Sequence, residues 1–311
     1  MSDILPPVEK LPLALRKSVR DDWDAKKEDV EKRLSEMLET PWTISVNPNQ
    51  VFAYAKTDYP KQNLGKCIYE YFDGSLRRVQ EYIDKYGEEG VKELNTIAHA
   101  HVMTLDVDDH KRFSYSGADI QEGQLRLLFS PNGLGSNISS ALSMEYLLEG
   151  LNKAEDPESR PISFAARLSI REGYDSKIKE VEDKIAELLG KPLTLVPNFE
   201  SNFATLKEES QKKKTDLRKD WEKIFGHAIR DYFYGLSRQL EWQKFKDDEL
   251  IQEGFFDVVE KAEVQFRVVE KLQKRTYNEV VIEDGVLYIQ TIPAKWWSNV
   301  NDAADGLVNM L

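Results

Sequence analysis

The densest group of potential metal ligands in the sequence is a histidine and aspartate cluster between residues 99 and 110. It begins with His99-Ala-His101 and continues with Asp106-Val-Asp108-Asp109-His110. Imidazole and carboxylate side chains together suit Zn, Mn or Fe. Two histidines one residue apart face the same way on a strand, but they diverge by about 200° on a helix. The chain contains a second stretch of similar sequence, and its aligned segment, 262–266, looks helical and contains no histidine. The favoured prediction is therefore a helix end followed by a solvated turn at 106–110, without a metal.

A second candidate is the segment Gly133-Leu-Gly135-Ser-Asn137, which precedes a predicted helix. Backbone amides at the start of a helix are able to hold a phosphate group. The corresponding segment of the second repeat, Lys295-Trp-Trp297-Ser-Asn299, lacks the glycines that a close approach of phosphate requires. No βαβ unit surrounds either segment, as a dinucleotide site would need. We therefore predict an ordinary strand-to-helix loop and no cofactor.

The most distinctive polar residues that occur twice are two Arg-x-Ser-x-Arg segments. They contain Arg16 and Arg20 in the first repeat and Arg167 and Arg171 in the second. If the two repeats pack face to face, the four guanidinium groups form a candidate site for a small anionic ligand or for the carboxylates of a partner protein. The alternative is local ion pairing to the acidic residues that follow at helical spacing, namely Asp21, Asp24, Glu172 and Asp175.

Nucleophilic catalysis has little support in the sequence. Three of the four histidines lie within twelve residues of each other, and the fourth, His227, falls in a predicted long helix. Cys67 has neither a histidine nearby nor a counterpart in the second repeat, so we interpret it as a buried thiol. The residues therefore predict no catalytic group, and whether the protein is an enzyme stays open.

Composition narrows the possible partners. The 311 residues include 43 Lys plus Arg and 55 Asp plus Glu, which gives a net charge of −12. Nucleic-acid binders need a clustered basic surface, whereas the basic runs here, 212–214 and 271–275, are short. The single cysteine excludes an intrachain disulfide and fits a reducing compartment. Without a long apolar run or an apolar signal core, we expect a cytoplasmic protein that binds neither membrane nor nucleic acid.

The chain repeats itself in order. Residues 11–56 and 162–207 share 16 identities in 46 aligned pairs. The match resumes where Tyr71-Phe72-x-Gly74 aligns with Tyr232-Phe233-x-Gly235, and where 120–125 aligns with 282–287. Chance similarity explains one such segment but not three in the same order. We predict a tandem duplication, with copy 1 at 11–150, a linker at 151–161 and copy 2 at 162–311.

Each copy is predicted as an α-β-α-α-ββ-α unit. A short helix and a longer amphipathic helix lead to a proline and a short strand. The middle regions, 63–106 and 200–274, look helical, including one long helix over 217–240 and another over 250–273. Hairpins turn at Glu122-Gly123 and Asp284-Gly285, and closing helices are expected to start at Ser136-Asn137 and Ser298-Asn299.

These elements predict a helix-dominated α+β protein. A hairpin alone is marginally stable, so we expect the two hairpins to join in one antiparallel sheet across a pseudo-two-fold axis. Two independent domains are the alternative.

Two functions remain open. Duplication without a repeated catalytic group favours a non-enzymatic binding or scaffold protein that acts through a groove between the repeats or through its long helices. The alternative is an enzyme or small-ligand protein with one diverged site at the cleft between the repeats, since His99, His101 and the segment 106–110 occur in only one copy.

Overall fold

The computed structural model describes residues 4–311, which separate into two compact units. Unit 1 comprises the described residues up to Ser159, and unit 2 runs from Arg160 to Leu311. The boundary falls inside the proline-bearing segment 151–161. Helices account for about 52% of the chain, and each unit contains one mixed four-stranded sheet. The prediction of a helix-dominated α+β protein is therefore confirmed.

Unit 1 starts with helices and ends with a hairpin and one more helix. Its helices are α1 (Leu13–Ser18), α2 (Ala25–Leu38), α3 (Pro48–Phe52), α4 (Asp58–Gln62), α5 (Leu64–Ile97) and α6 (Met144–Lys153). Its strands are β1 (Thr43–Ser45), β2 (Val102–Val107), β3 (Ser116–Gln121) and β4 (Gln124–Phe129). A π-helical turn, Val19–Asp24, joins α1 to α2, and α5 is kinked at Gly87.

Unit 2 follows a similar plan. Its helices are α7 (Phe164–Ser169), α8 (Ile178–Leu189), α9 (Phe199–Ser210), α10 (Phe225–Trp242) and α11 (Glu249–Val258). Its strands are β5 (Thr194–Val196), β6 (Glu263–Val268), β7 (Asn278–Glu283) and β8 (Val286–Thr291). A π-helical turn, Ile170–Asp175, follows α7. None of the helices described in either unit combines the length and the apolar character needed to cross a membrane.

Each unit builds its own sheet. The strand order is β1-β2-β4-β3 in unit 1 and β5-β6-β8-β7 in unit 2. The hairpin strands pair antiparallel, and all other neighbours pair parallel. The predicted antiparallel sheet shared by both hairpins is therefore wrong. The physical reason is that β2 and β6 supply each hairpin with a partner inside its own unit, so that no strand from the other unit is needed.

The strands β2 and β6 lie where helices were predicted, so the helical assignments at 63–106 and 250–273 are wrong in these parts. In β6 the buried side chains alternate strictly with partly exposed ones, and this period of two is the signature of a strand. Phe266 also fits a three-to-four spacing with Val259 and Ala262, which made the helical interpretation attractive. Ala262, however, takes a positive φ of 48°, which interrupts a helix before β6 begins.

Two further helix boundaries differ from the prediction. The helix predicted from residue 217 begins at Phe225, although the preceding turns still bury Leu217 and Trp221. Asn137 and Asn299 adopt the left-handed conformation and lead into short 3₁₀ turns, not closing α-helices. An N-cap residue needs an extended backbone, and Ser143 provides it for α6, where its Oγ accepts from the Tyr146 amide at 3.3 Å.

The long helix of each unit packs against the core beside the sheet. Tyr232 of α10 stacks on Phe266 of β6 with 4.6 Å between ring centroids, and both rings are fully buried. In unit 1, Trp23 of the π-helical turn stacks on Phe72 of α5 at 4.9 Å. Burial of one such large apolar side chain contributes about 1.5–3 kcal/mol. These contacts fix the inward face of each long helix, and they leave its outward face to solvent.

Each long helix also begins in close contact with a π-helical turn. The Gly65 amide donates to Ser18 Oγ at 3.2 Å, and the Gly226 amide donates to Ser169 Oγ at 3.0 Å. Each serine thereby satisfies an amide of the first helical turn, as an N-cap does, but from another helix. A Cβ atom at Gly65 would lie 2.1 Å from the Ser18 carbonyl oxygen, and one at Gly226 would lie 2.2 Å from that of Ser169. Only glycine permits this approach.

The close contact predicts opposite effects for two substitutions in α5. Gly65→Ala is expected to lower the free energy of unfolding by about 1–3 kcal/mol, because backbone atoms must move apart. Gly74→Ala is expected to raise it by about 0.5–1 kcal/mol, because a Cβ there meets no atom within 4 Å and alanine favours the helix. Urea denaturation followed by circular dichroism measures both. Equal effects of the two substitutions would contradict the contact.

Candidate functional site

The two Arg-x-Ser-x-Arg segments span the junctions of α1 and α7 with their π-helical turns, and their serines hold the long helices. Arg20 Nε pairs with Asp21 at 2.7 Å, and Arg171 Nη2 lies 3.5 Å from Glu172. Arg167 donates to the Ile162 carbonyl oxygen at 2.5 Å, while Arg16 is exposed. Two of these contacts pair an arginine with the acid that follows it directly in the chain, and the third joins Arg167 to a backbone carbonyl oxygen. Anion binding by the four arginines together stays a prediction.

The histidine and aspartate cluster is distributed over separate contacts. His101 Nε2 lies 3.2 Å from the Asn95 carbonyl oxygen, whereas the exposed His99 rests beside the hairpin turn. Asp108 is fully buried and accepts from Arg112 Nε at 3.1 Å and from the Phe113 amide at 2.8 Å. The predicted solvated turn is therefore wrong at Asp108, which pairs with the Arg112 guanidinium and accepts a second hydrogen bond from a backbone amide. Within residues 4–311, no three His, Cys, Asp or Glu side chains are grouped for a metal ion.

The glycine-bearing loop uses its own amides. Gly135 donates to the hydroxyl of Tyr71 at 3.2 Å, and Gly133 donates to the Ser130 carbonyl oxygen at 2.8 Å. In unit 2 the Trp297 amide donates to the Tyr232 hydroxyl at 3.0 Å in the same way. The loop therefore binds the long helix of its unit through amides that a phosphate site would have to present to a ligand.

A row of three large side chains lies on the outward side of α10. Tyr234, Arg238 and Trp242 follow one another at four-residue spacing, which places them on one face of the helix. Tyr234 is 40% exposed and Trp242 is 53% exposed. The Arg238 guanidinium lies over the Trp242 ring, 5.1 Å from its centroid. We call these three residues the α10 face.

Unit 1 carries different side chains at the aligned positions of α5. An offset of 161 residues places Asp73, Arg77 and Glu81 opposite Tyr234, Arg238 and Trp242. Asp73 pairs with Arg33 at 2.9 Å, and Glu81 pairs with Arg78 at 2.8 Å. The two acids on this surface of unit 1 are thus ion-paired. Unit 2 instead exposes tyrosine, arginine and tryptophan, the residue types that are enriched where proteins bind one another.

Arg238 is a cation without a carboxylate partner in the part of the chain that the structure describes. Its Nε is buried and has no hydrogen-bond acceptor. The neighbouring acids have other partners, since Asp231 accepts from Trp297 Nε1 at 2.7 Å and Glu241 pairs with Lys184 at 3.1 Å. Burial and the nearby Arg230 lower the pKa of His227, so this histidine adds no positive charge at neutral pH. The α10 face therefore presents one uncompensated guanidinium between two aromatic rings.

The side of α10 next to the α10 face is held against the 3₁₀ turn Val300–Asp302 and the residues before it. Its backbone at Gly235 approaches so closely that a Cβ there would lie 2.1 Å from the Val300 carbonyl oxygen. Gln239 Nε2 donates to the Asn301 carbonyl oxygen at 2.6 Å. Together with the bond between Asp231 and Trp297, these contacts fix the rotation of the helix about its axis. A rigid helix lowers the entropy cost of presenting the α10 face to a partner.

Sequence reasoning did not identify the α10 face. The aligned segments Tyr71-Phe72-x-Gly74 and Tyr232-Phe233-x-Gly235 contained the signal, because the position that differs between them is Asp73 in unit 1 and Tyr234 in unit 2. The two helices differ here because α5 carries acids at positions where α10 carries aromatic residues. Recognising it required knowing which side of α10 faces outward.

The Arg-x-Ser-x-Arg pattern generates a test of its structural role. Ser18→Ala is expected to lower the free energy of unfolding by about 1 kcal/mol, because the Gly65 amide loses its acceptor. Arg20→Gln is expected to leave the thermal midpoint unchanged, because its ion pair with Asp21 is exposed. Thermal unfolding measures both. A larger loss for Arg20→Gln than for Ser18→Ala would contradict this assignment of roles.

Comparisons of the chain with protein-family models, with curated proteins and with solved structures found no match.

Proposed function

We propose that this chain is a non-enzymatic binding or scaffold protein that acts through one of its long helices, at the α10 face. The observation that supports this proposal is the unpaired Arg238 between the exposed Tyr234 and Trp242. The free energy falls when a partner covers exposed aromatic side chains. A guanidinium group forms its strongest hydrogen bonds with a carboxylate. We infer a partner that offers both groups.

The partner that fits is an acidic amphipathic segment of another protein. Its apolar side chains would cover Tyr234 and Trp242, and an aspartate or glutamate beside them would pair with Arg238. Arginine presents a planar fork that matches a carboxylate in two hydrogen bonds. The chain carries a net charge of −12, so the attraction for an acidic partner is local, and salt at physiological strength screens the longer-range repulsion.

We further propose that the two units arose by tandem duplication and are related by a pseudo-two-fold axis. The duplication is supported by the equal strand orders, by a π-helical turn at the same place in each unit and by the Ser18–Gly65 and Ser169–Gly226 contacts. In this proposal the repeated residues build the scaffold, while the binding face evolved in unit 2 alone. A cytoplasmic location and the absence of membrane or nucleic-acid partners belong to the same proposal.

The alternative, an enzyme or small-ligand protein with one diverged site, has one observation in its favour. His99, which has no histidine counterpart in unit 2, borders a groove in unit 1. A binding site of this kind is compatible with a separate protein-binding face on α10.

A peptide selection tests the α10 face. A phage-displayed peptide library is selected against the full chain and counter-selected against the variant Tyr234→Asp, Arg238→Gln, Trp242→Glu. We expect the enriched peptides to combine Asp or Glu with Leu, Phe or Trp. Titration of one such peptide should show that Trp242→Glu weakens binding by about 30-fold, the effect of losing a central aromatic anchor.

Two controls make the selection decisive. Arg77→Gln in unit 1 is the matched control and is expected to leave peptide affinity unchanged. The triple variant should keep its thermal midpoint, because α5 carries Asp and Glu at the aligned positions. Enrichment of basic peptides, or equal binding to the variant, would contradict the proposal. If sedimentation instead shows a wild-type dimer that the variant abolishes, a second copy covers this face and the proposed partner is wrong.

A further inference from the structure

Unit 2 leaves open a surface that unit 1 covers with a helix. In unit 1, α6 packs against β3 and α5, and its Leu147 and Leu151 are almost fully buried. The helix comes close to β3 at Gly150, where a Cβ would lie 3.4 Å from the Ile120 amide nitrogen. Only 3₁₀ turns follow β8 in unit 2, so no α-helix among the described residues takes the place of α6.

Two buried side chains beside the end of α6 have accessible counterparts in unit 2. Ile97 and Ile120 lie next to residues 153–155 in unit 1. Offsets of 161 and 162 residues align them with Val258 of α11 and Ile282 of β7. Ile97 is 2% exposed and Ile120 is 7% exposed, whereas Val258 and Ile282 are only partly buried. Unit 2 therefore leaves apolar surface in contact with water where unit 1 places α6.

The accessible apolar surface continues along α11. Leu250, Gly254 and Val258 follow one another at four-residue spacing, which places them on one face of the helix. Leu250 is 78% exposed. A Cβ at Gly254 would meet only the Cβ of Leu311 within 4 Å, so the helix surface is low between Leu250 and Val258. We call Leu250, Gly254, Val258 and Ile282 the α11 face.

The charge beside the α11 face is negative. Four exposed acids lie along α11 and directly after it, namely Glu249, Glu253, Asp257 and Glu260. None of the four forms an ion pair within residues 4–311. Residues 244–261 contain six acids and three lysines, and one of these lysines, Lys246, pairs with Glu187 outside this segment. A partner that covers the α11 face thus meets uncompensated carboxylates at its edge.

We propose that the α11 face binds a basic amphipathic helix of another protein. The cover that unit 1 uses at the aligned place is the ten-residue helix α6, with buried leucines and a glycine at its close approach to β3. Charge complementarity adds a second requirement, because lysine or arginine beside the leucines would pair with the acids along α11. Proteins commonly recognise an amphipathic helix through an apolar groove in this way. The inference goes beyond the α10 face, for which the proposed partner is acidic.

The test uses two labelled synthetic peptides derived from residues 143–154. The probe carries Glu145→Lys and Glu149→Lys, and the control peptide has the composition of the probe in scrambled order. Each is titrated with the full chain at about 0.15 M salt, which screens long-range attraction, and fluorescence anisotropy is measured. We expect the probe to bind with saturation and the scrambled peptide to bind about tenfold more weakly, because only the probe places its leucines on one side.

The scrambled peptide is decisive because the net charge of −12 attracts both peptides. Equal affinity of the two peptides would show that charge alone drives binding, and it would overturn the proposal. Absence of saturable binding by the probe would also overturn it. The unchanged 143–154 sequence, with its two glutamates, should bind more weakly than the probe, and equal binding of this peptide would contradict the role of charge.

Variants of the chain locate the binding site. Leu250→Ser is expected to weaken binding of the probe about tenfold, because the complex then buries less apolar surface. The double substitution Glu253→Gln, Asp257→Asn is expected to weaken it about threefold to tenfold, as the loss of exposed ion pairs implies. Leu13→Ser, which removes a leucine that is 73% exposed in unit 1, is the matched control and should leave the affinity unchanged. Unchanged affinity in both α11 variants would show that the probe binds elsewhere.

Two further measurements separate this inference from the proposed function. The triple variant of the α10 face should bind the probe at least as tightly as the wild-type chain, and loss of binding there would assign the probe to α10. Peptides selected for the α10 face should bind the Leu250→Ser variant normally, so either proposal can fail alone. If sedimentation shows a wild-type dimer that Leu250→Ser abolishes, a second copy covers the α11 face and the proposed basic partner is wrong.

Discussion

The fold of each unit depends on one close backbone contact, where a π-helical turn meets the first turn of the long helix. The Ser18–Gly65 and Ser169–Gly226 pairs bring two helices closer than any side chain at the glycine would allow. The serine hydroxyl satisfies an amide that the close packing would otherwise leave buried without a partner. This contact sets where α5 and α10 begin, and therefore which of their faces meets the sheet.

The same scaffold satisfies equivalent acids in different ways. In unit 1 the hydroxyl of Tyr59 donates to Glu70 at 2.5 Å, and Gly135 leaves room for the tyrosine ring. In unit 2 the aligned acid, Asp231, accepts from the indole of Trp297, which stands at the position of Gly135. One large aromatic donor thus serves each carboxylate, although the two donors come from distant parts of the sequence. Each bond joins the long helix of its unit to a segment that packs beside it.

Prediction from the sequence succeeded for patterns that involve neighbours along the chain. The Asp284-Gly285 hairpin and the amphipathic helix α8 needed only local turn chemistry and helical periodicity. It failed at β2 and β6, because a six-residue strand is too short to exclude a helix. At β6, Val259 and Phe266 also fit helical spacing. It failed again for the shared sheet, since the partner of a hairpin edge is chosen by long-range pairing.

The sequence by itself determined the α+β class of the protein, the turns of its two hairpins and its net charge of −12. Those properties depend on composition and on residues close together in the chain. Only the tertiary structure decided that each hairpin completes a sheet within its own unit, that Ser18 and Ser169 cap helices from a distance, and that Tyr234, Arg238 and Trp242 face outward. Burial and edge pairing are set by contacts between distant segments, because a side chain becomes surface or core only when the rest of the chain has packed around it.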